Sequence, residues 1–135
     1  MRASDFPMLY TLTQLSAAAS FLHFAHNAEY LADYPNLPAS FTRTGIYAAW
    51  LAVSAVGASG LALVRFGRTP AGLALLGIYA ALGFDGLLHY TRAPIADHAF
   101  GMNFTIGFEV AAAAALFFFV VNVATRRLLG EILDH

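Results

Sequence analysis

Residues 100–125 read FGMNFTIGFEVAAAAALFFFVVNVAT, with Glu109 the only charged side chain among them. A helix of about 20 mostly apolar residues crosses the roughly 30 Å hydrocarbon core of a bilayer. A water-facing helix of this length needs a broad polar face. Here a run of alanines, Ala111 to Ala115, passes straight into Phe117-Phe118-Phe119. The stretch therefore reads as a membrane span, and the rest of the chain repeats its character.

Three more segments qualify by length and apolarity: 8–33, 44–66 and 71–90. Breakers separate them. Tyr34-Pro35-Asn36-Leu37-Pro38 ends the first, since proline cannot continue a helix and restricts the residue before it. Gly67-Arg68-Thr69-Pro70 and Thr91-Arg92-Ala93-Pro94 end the second and third. The expected fold is all-α, an integral membrane four-helix bundle running up-down-up-down. It occupies one transmembrane domain over residues 1–135, with no internal repeat.

Composition agrees. The chain is 59% hydrophobic and 11% charged, with a mean hydropathy of +0.65, where soluble domains run near 25% charged. The net charge of −1 argues against a nucleic-acid partner, and the expected surroundings are lipid. There is no cysteine, which removes disulfides, thiolate metal sites and cysteine nucleophiles. Arg2 and the Ala17-Ala18-Ala19 run resemble a signal peptide faintly. Thr11, Thr13, Gln14 and Ser16 interrupt its apolar core, so the segment reads as a retained first helix.

All seven basic residues are arginines, and they set the orientation. With four spans, Arg2, Arg65, Arg68, Arg126 and Arg127 share one side with both termini, and Arg43 and Arg92 lie on the other. The N- and C-termini are expected to be cytoplasmic, in a bacterial inner membrane. Tyr30, Tyr34, Phe41, Tyr47, Tyr90 and Phe100 mark the outer interface as an aromatic belt. Small residues such as Gly57, Gly60, Gly72, Gly77, Gly83 and Gly86 predict close helix packing. Phe117 to Phe119 are expected to face lipid.

Ionisable groups inside a membrane cost about 3 kcal/mol each on insertion scales and mark function by default. In the first helix His23, His26, Asn27, Tyr30 and Asp33 fall on one face, with Glu29 on its flank. In the third, Asp85 and His89 stand one α-helical turn apart, followed by Arg92. In the fourth, His98, Met102, Thr105 and Glu109 form a stripe, and Asn103 points elsewhere. At about 1.5 Å per residue these groups meet in the outer half of the bundle. The second helix offers only Tyr47 and Trp50 there and reads as a wall. His135 is terminal and carries no weight.

Imidazoles and carboxylates together suit a transition metal such as zinc, iron or copper. The expected ligands are His23, His26, Asp85, His89 and Glu109. Asn27, Tyr30, Asp33 and His98 are expected to orient them. Such a site would serve a metal-dependent hydrolase or oxidoreductase acting on a lipidic or small apolar substrate, with Glu109 or Asp85 as the catalytic base. The helices lack H-E-x-x-H and paired E-x-x-H motifs, so neither the zincin nor the ferritin-like di-iron pattern applies.

Asp85-x3-His89 followed by His98 resembles the Asp-x3-His…His copper motif found in a membrane-embedded subunit of particulate methane and ammonia monooxygenases. The resemblance covers about a tenth of the chain, with a shorter gap before the second histidine. It implies that Asp85, His89 and His98 are copper ligands.

Three other readings stay open. Haem could be held by His23 or His26 facing His89. The cluster could relay protons, although the inner half of the first helix offers only Thr11, Thr13, Gln14, Ser16 and Ser20. It could instead be a hydrogen-bonded network in an accessory subunit, as a homo-oligomer or within a larger membrane complex.

Overall fold

In the computed structural model of the protein, residues 2 and 4–133 are described, the side chains of Glu131 and Leu133 excepted; His135 lies outside them. The described residues form four α-helices and no strands. These are α1 (Asp5–Glu29), α2 (Arg43–Arg65), α3 (Thr69–Leu82) and α4 (Phe100–Leu133). Short 3₁₀ segments at Leu31–Asp33, Asp85–Thr91 and Ile95–Asp97 complete the chain. Three stretches are long and apolar enough to cross a membrane: Arg43–Arg65, Thr69–Thr91 and Phe100–Gly130.

Local chemistry sets the helix ends. The Thr42 hydroxyl accepts the Gly45 N–H at 3.1 Å and caps α2. At the other end Gly67 takes φ +80, the left-handed region that a side chain disfavours. Its N–H bonds to the Val64 carbonyl and that of Arg68 to the Leu63 carbonyl, at 3.1 and 2.8 Å. This is a Schellman close, and it satisfies carbonyls that the helix end leaves free. Pro70 then sits in the first turn of α3, where its missing N–H costs nothing.

The third segment differs from expectation. A continuous helix over 71–90 is expected, but α3 ends at Leu82 and Asp85–Thr91 winds as 3₁₀. Two glycines explain the change. A Cβ on Gly83 would come within 2.6 Å of Ala113 Cβ on α4, and one on Gly86 within 3.3 Å of Glu109 Oε2. The backbone therefore lies directly against α4, and glycine is a poor α-former. The tighter winding alters which side chains align. A residue four along is in line on an α-helix but about a third of a turn away on a 3₁₀ helix. Asp85 and His89 thus do not share a face.

α1 meets α4, and α2 meets α3, in reversed order. Asp5, Ser16 and His23 of α1 reach Arg126, Ala112 and Thr105 of α4. Phe21 packs on Trp50 with ring centroids 4.9 Å apart, and Gly57 and Gly60 of α2 lie against Tyr79 and Leu76 of α3. One end of the bundle is an apolar core of Leu9, Leu61, Leu73, Leu76, Leu116 and Val123. In the phenylalanine run Phe118 is exposed, as expected. Phe117 and Phe119 are half-buried against that core, and Phe117 meets Phe84 edge-on.

Burial on α1 is inverted. Its buried residues include Asp5, Thr13, Ser16, Ser20, His23 and Asn27, while Met8, Tyr10, Leu15, Phe21 and Leu22 face out. Across the chain Phe100 and Phe66 are 85% and 81% exposed, whereas His23 and Glu109 are 2% exposed.

The end of the bundle opposite the histidines is tied by Asp5 and Arg126, 3.0 Å apart, with the Arg2 backbone N–H also donating to Asp5 at 2.7 Å. Burial, the largest influence on Asp5, pushes its pKa up. The bonds from Arg126 and Arg2 and the arginine charge outweigh it and hold the carboxyl below its ordinary 3.8. A lowered acid pKa means stability that is present above the unfolded value and lost as pH falls through the folded one. Arg126→Ala should therefore destabilise the protein at pH 7 by about 1.5–3 kcal/mol. The melting-temperature gap to wild type should close as the pH is taken below the Asp5 titration. A gap unchanged into strong acid would contradict this.

Candidate functional site

At the other end α1, α2 and the 3₁₀ segment Asp85–Thr91 enclose a cleft of about 440 Å³. Phe24, Phe41, Ile46, Ala49, Val53 and Leu88 form its apolar walls. His23, Asn27 and His89 form a polar patch, and Asp85 and Arg92 bring opposite charges to the lining. The second helix is thus a wall, made by Ile46, Ala49 and Val53 rather than by Tyr47 and Trp50. Tyr47 instead donates to Glu29 at 2.8 Å, and Arg43 pairs with the same carboxylate at 2.7 Å. These contacts tie α1 to α2 beside the cleft.

Asn27 organises the polar patch. Its amide Nδ2 donates to His23 Nε2 at 3.1 Å and to His89 Nε2 at 3.3 Å. Both rings thus turn an Nε2 lone pair toward one point and carry their proton on Nδ1. On the far side His23 Nδ1 reaches Thr105 Oγ1 at 3.5 Å, and Thr105 donates to the Met102 carbonyl at 3.1 Å. The two imidazoles meet edge to face, with centroids 5.3 Å apart. Glu109 lies next to them, its Oε2 3.7 Å from His23 Nε2. Neither carboxyl oxygen of Glu109 has a hydrogen-bond partner. Gly86 makes this approach possible, because a Cβ there would meet Glu109 Oε2 at 3.3 Å and His23 Nε2 at 3.6 Å.

The remaining expected site residues form flanking groups. His26 bonds through Nδ1 to Tyr34 OH at 2.9 Å and stacks on Tyr30. Its Nε2 would lie 3.0 Å from a Cβ on Gly101, so the ring is wedged between the end of α1 and the start of α4. His98 is buried, its Nδ1–H donating to the Pro94 carbonyl at 3.0 Å, and it sits edge-on to His89 and Tyr90. Asn103 accepts from Tyr90 OH and donates to the carbonyls of Ile95 and His98, which fixes the entry into α4.

The structure therefore brings together His23, Asn27, His89, Thr105 and Glu109. It does not bring the five expected ligands into one shell. Asp85 is exposed and lines the cleft together with His89. Asp33 is exposed because α1 ends at Glu29 and the chain turns before it. Among the described residues no group of three or more His, Asp or Glu side chains is placed to hold a metal ion. Tyr34 is a site residue that sequence reading misses. It is buried, bonds His26, and stands 5.0 Å from His89 between ring centroids. It lies in a turn beside Pro35, where no helical period marks it.

Comparison with protein-family models, curated proteins and solved structures finds no match to this chain.

Replacing Asn27 by leucine removes the donor shared by two imidazoles. Asn27→Leu should lower stability by about 1–3 kcal/mol, the cost of leaving buried acceptors unpaired. In ¹⁵N spectra of the histidine side chains, the Nε2 resonances of both His23 and His89 should move. Movement of only one would show that the amide does not bridge them.

Proposed function

We propose that this chain is an integral membrane protein of four spans, up-down-up-down, with both termini cytoplasmic, whose cleft binds a small lipid-soluble molecule. The inverted burial of α1 supports its role as the first span. Polar side chains lower its mean hydropathy, yet Asp5, Thr13, Ser16, Ser20, His23 and Asn27 are buried while Met8, Tyr10, Leu15, Phe21 and Leu22 point out. The reversed order of contacts of α1 with α4 and of α2 with α3, together with the five-to-two division of arginines, supports the topology.

One observation carries the ligand reading: a mostly apolar cleft with a few convergent hydrogen-bonding groups at one place. Its 440 Å³ falls within the roughly 300–1,000 Å³ of small-molecule sites. The apolar walls suit a hydrocarbon tail. The imidazoles and the amide suit an uncharged, oxygen-bearing head, and the charges of Asp85 and Arg92 offset one another. In protein reconstituted in nanodiscs, a prenyl alcohol carrying a photoactivatable diazirine in its tail should label the Phe24 and Ile46–Val53 segments. Ala49→Trp fills the cleft and should weaken that binding at least about tenfold, about 1.4 kcal/mol. Labelling spread evenly over Phe118 and the other outward residues, and indifferent to Ala49→Trp, would overturn the proposal.

The separation of His23 Nε2 from Glu109 Oε2 favours a second reading, a transition-metal site serving a hydrolase or oxidoreductase. At 3.7 Å these atoms are close to the separation of two ligands on one tetrahedral ion, about 3.3 Å for bonds of about 2.0–2.1 Å. His89 would be the third ligand, and the Asn27 amide would have to withdraw from the point where the Nε2 lone pairs converge. Protein purified without chelators should then hold stoichiometric zinc, iron or copper by elemental analysis. The metal should be lost in Glu109→Ala and kept in Arg68→Ala. Absence of metal in the wild type would eliminate this reading and leave the first intact.

A further inference from the structure

Behind the cleft, on the apolar-core side of Glu109, lies a second, much smaller cavity. Its volume is about 10 Å³, and its polar lining is Ser16, Ser20, Tyr79 and Glu109. Gly83 and Ala113 close it where α3 and α4 touch. All four polar residues are more than nine-tenths buried: Glu109 is 2% exposed, Tyr79 3%, Ser20 5% and Ser16 6%. Three of their polar atoms have no hydrogen-bond partner, namely Tyr79 OH and both carboxyl oxygens of Glu109. Buried groups of this kind are costly when left unpaired.

We propose that this cavity is a built binding site for one water molecule, which bridges Glu109 to Tyr79 and the two serines. Volume and chemistry agree on the occupant. A cavity needs roughly 10–15 Å³ of such space to take one water, so a second water or a hydrated ion does not fit. Dry cavities are apolar, and this one is not. One water can take up Tyr79 OH and one of the two Glu109 oxygens. Tyr79 O–H donates to the water oxygen, and the water donates one hydrogen to a Glu109 oxygen. Ser16 spends its own hydrogen on the Ala112 carbonyl at 3.1 Å, so its oxygen is free to accept the water's second hydrogen. Ser20 supplies the fourth contact.

The water extends the polar cluster inward. From the cleft a chain of groups runs through Asn27 and His23 to Glu109, then through the water to Tyr79 and Ser16. It stops at Leu9, Leu76 and Leu116, each 0% exposed. The path is blind, and its role is to solvate a carboxyl group set in the middle of an apolar bundle.

Radiolytic footprinting of the detergent-solubilised full chain in ¹⁸O water tests this, because radicals formed from a bound water mark the residue beside it. Tyr79 should gain ¹⁸O much faster, after correction for intrinsic reactivity, than the equally buried Leu76 and Leu116. Ser20→Val fills the cavity and should cut Tyr79 labelling severalfold while leaving the cleft residue Phe24 unchanged. Ser16→Val serves the same purpose if Ser20→Val does not fold. Tyr79 labelled no faster than Leu116 in the wild-type protein overturns the proposal whatever the variants do, as does labelling that persists undiminished in a folded Ser20→Val or Ser16→Val protein. The cleft probe reads the other cavity, so the two tests fail independently.

Discussion

Every polar side chain carried on the buried face of α1 has to find its partner inside the bundle. This is the constraint on which the rest of the structure depends. Asp5 finds Arg126, Thr13 the Leu9 carbonyl, Ser16 the Ala112 carbonyl, and His23 reaches Thr105 and Asn27. Each contact except that of Thr13 and the α1-internal His23–Asn27 bond joins α1 to α4. These bonds draw the two helices together along their length. Met8, Tyr10, Leu15, Phe21 and Leu22 of α1 are left to face out, the opposite of a water-soluble helix. Close approach of α3 to α4 at Gly83 and of the following 3₁₀ segment at Gly86 then brings Glu109 next to His23.

The elements governed by hydrophobic run length were legible in the chain. Segment 44–66 corresponds to Arg43–Arg65, and the apolar stretch from residue 100 begins α4 at Phe100. Apolar runs bounded by proline and glycine leave little choice of register. Met102, Thr105 and Glu109 were legible as a stripe of α4 for the same reason, and all three are buried; His98 is buried too, but stands in extended backbone before α4 begins. Reading failed where a backbone approach between helices mattered more than the period within one. Nothing local to residues 83–91 states that Gly83 will press on Ala113, so the change to 3₁₀ winding could not be seen, and with it the divergence of Asp85 from His89 was lost. Tyr34 was hidden similarly, because its role depends on a turn folding back onto His26 and His89.

The inner polar residues of α1 show a subtler limit. Thr13, Ser16 and Ser20 read as a weak scatter, too sparse to continue the cluster. The structure buries all three, and Ser16 and Ser20 reach the same small cavity as Glu109. Small hydroxyl side chains carry little signal in a hydropathy profile. They matter here because a single bound water can join groups that are too far apart to bond directly.

The form of the polar path bears on which functions fit. A conducting protein needs polar or hydrated groups from one face to the other, whereas here Leu9, Leu76 and Leu116 close the bundle beyond Ser16 and Tyr79. Further along, Thr13 is spent on the Leu9 carbonyl, and Asp5 and Arg126 are spent on each other. A haem would need room between two facing imidazoles, but His23 and His89 stand 5.3 Å apart between centroids and share one amide. Open space lies on the other side, in the cleft bounded by α2. The cleft opens sideways onto apolar walls, and its polar groups lead inward to Glu109 and the small pocket lined by Ser16, Ser20 and Tyr79. The carboxyl of Glu109 sits one imidazole behind that cleft, 3.7 Å from His23 Nε2, and that imidazole is held there by the bond network that α1 carries into the bundle.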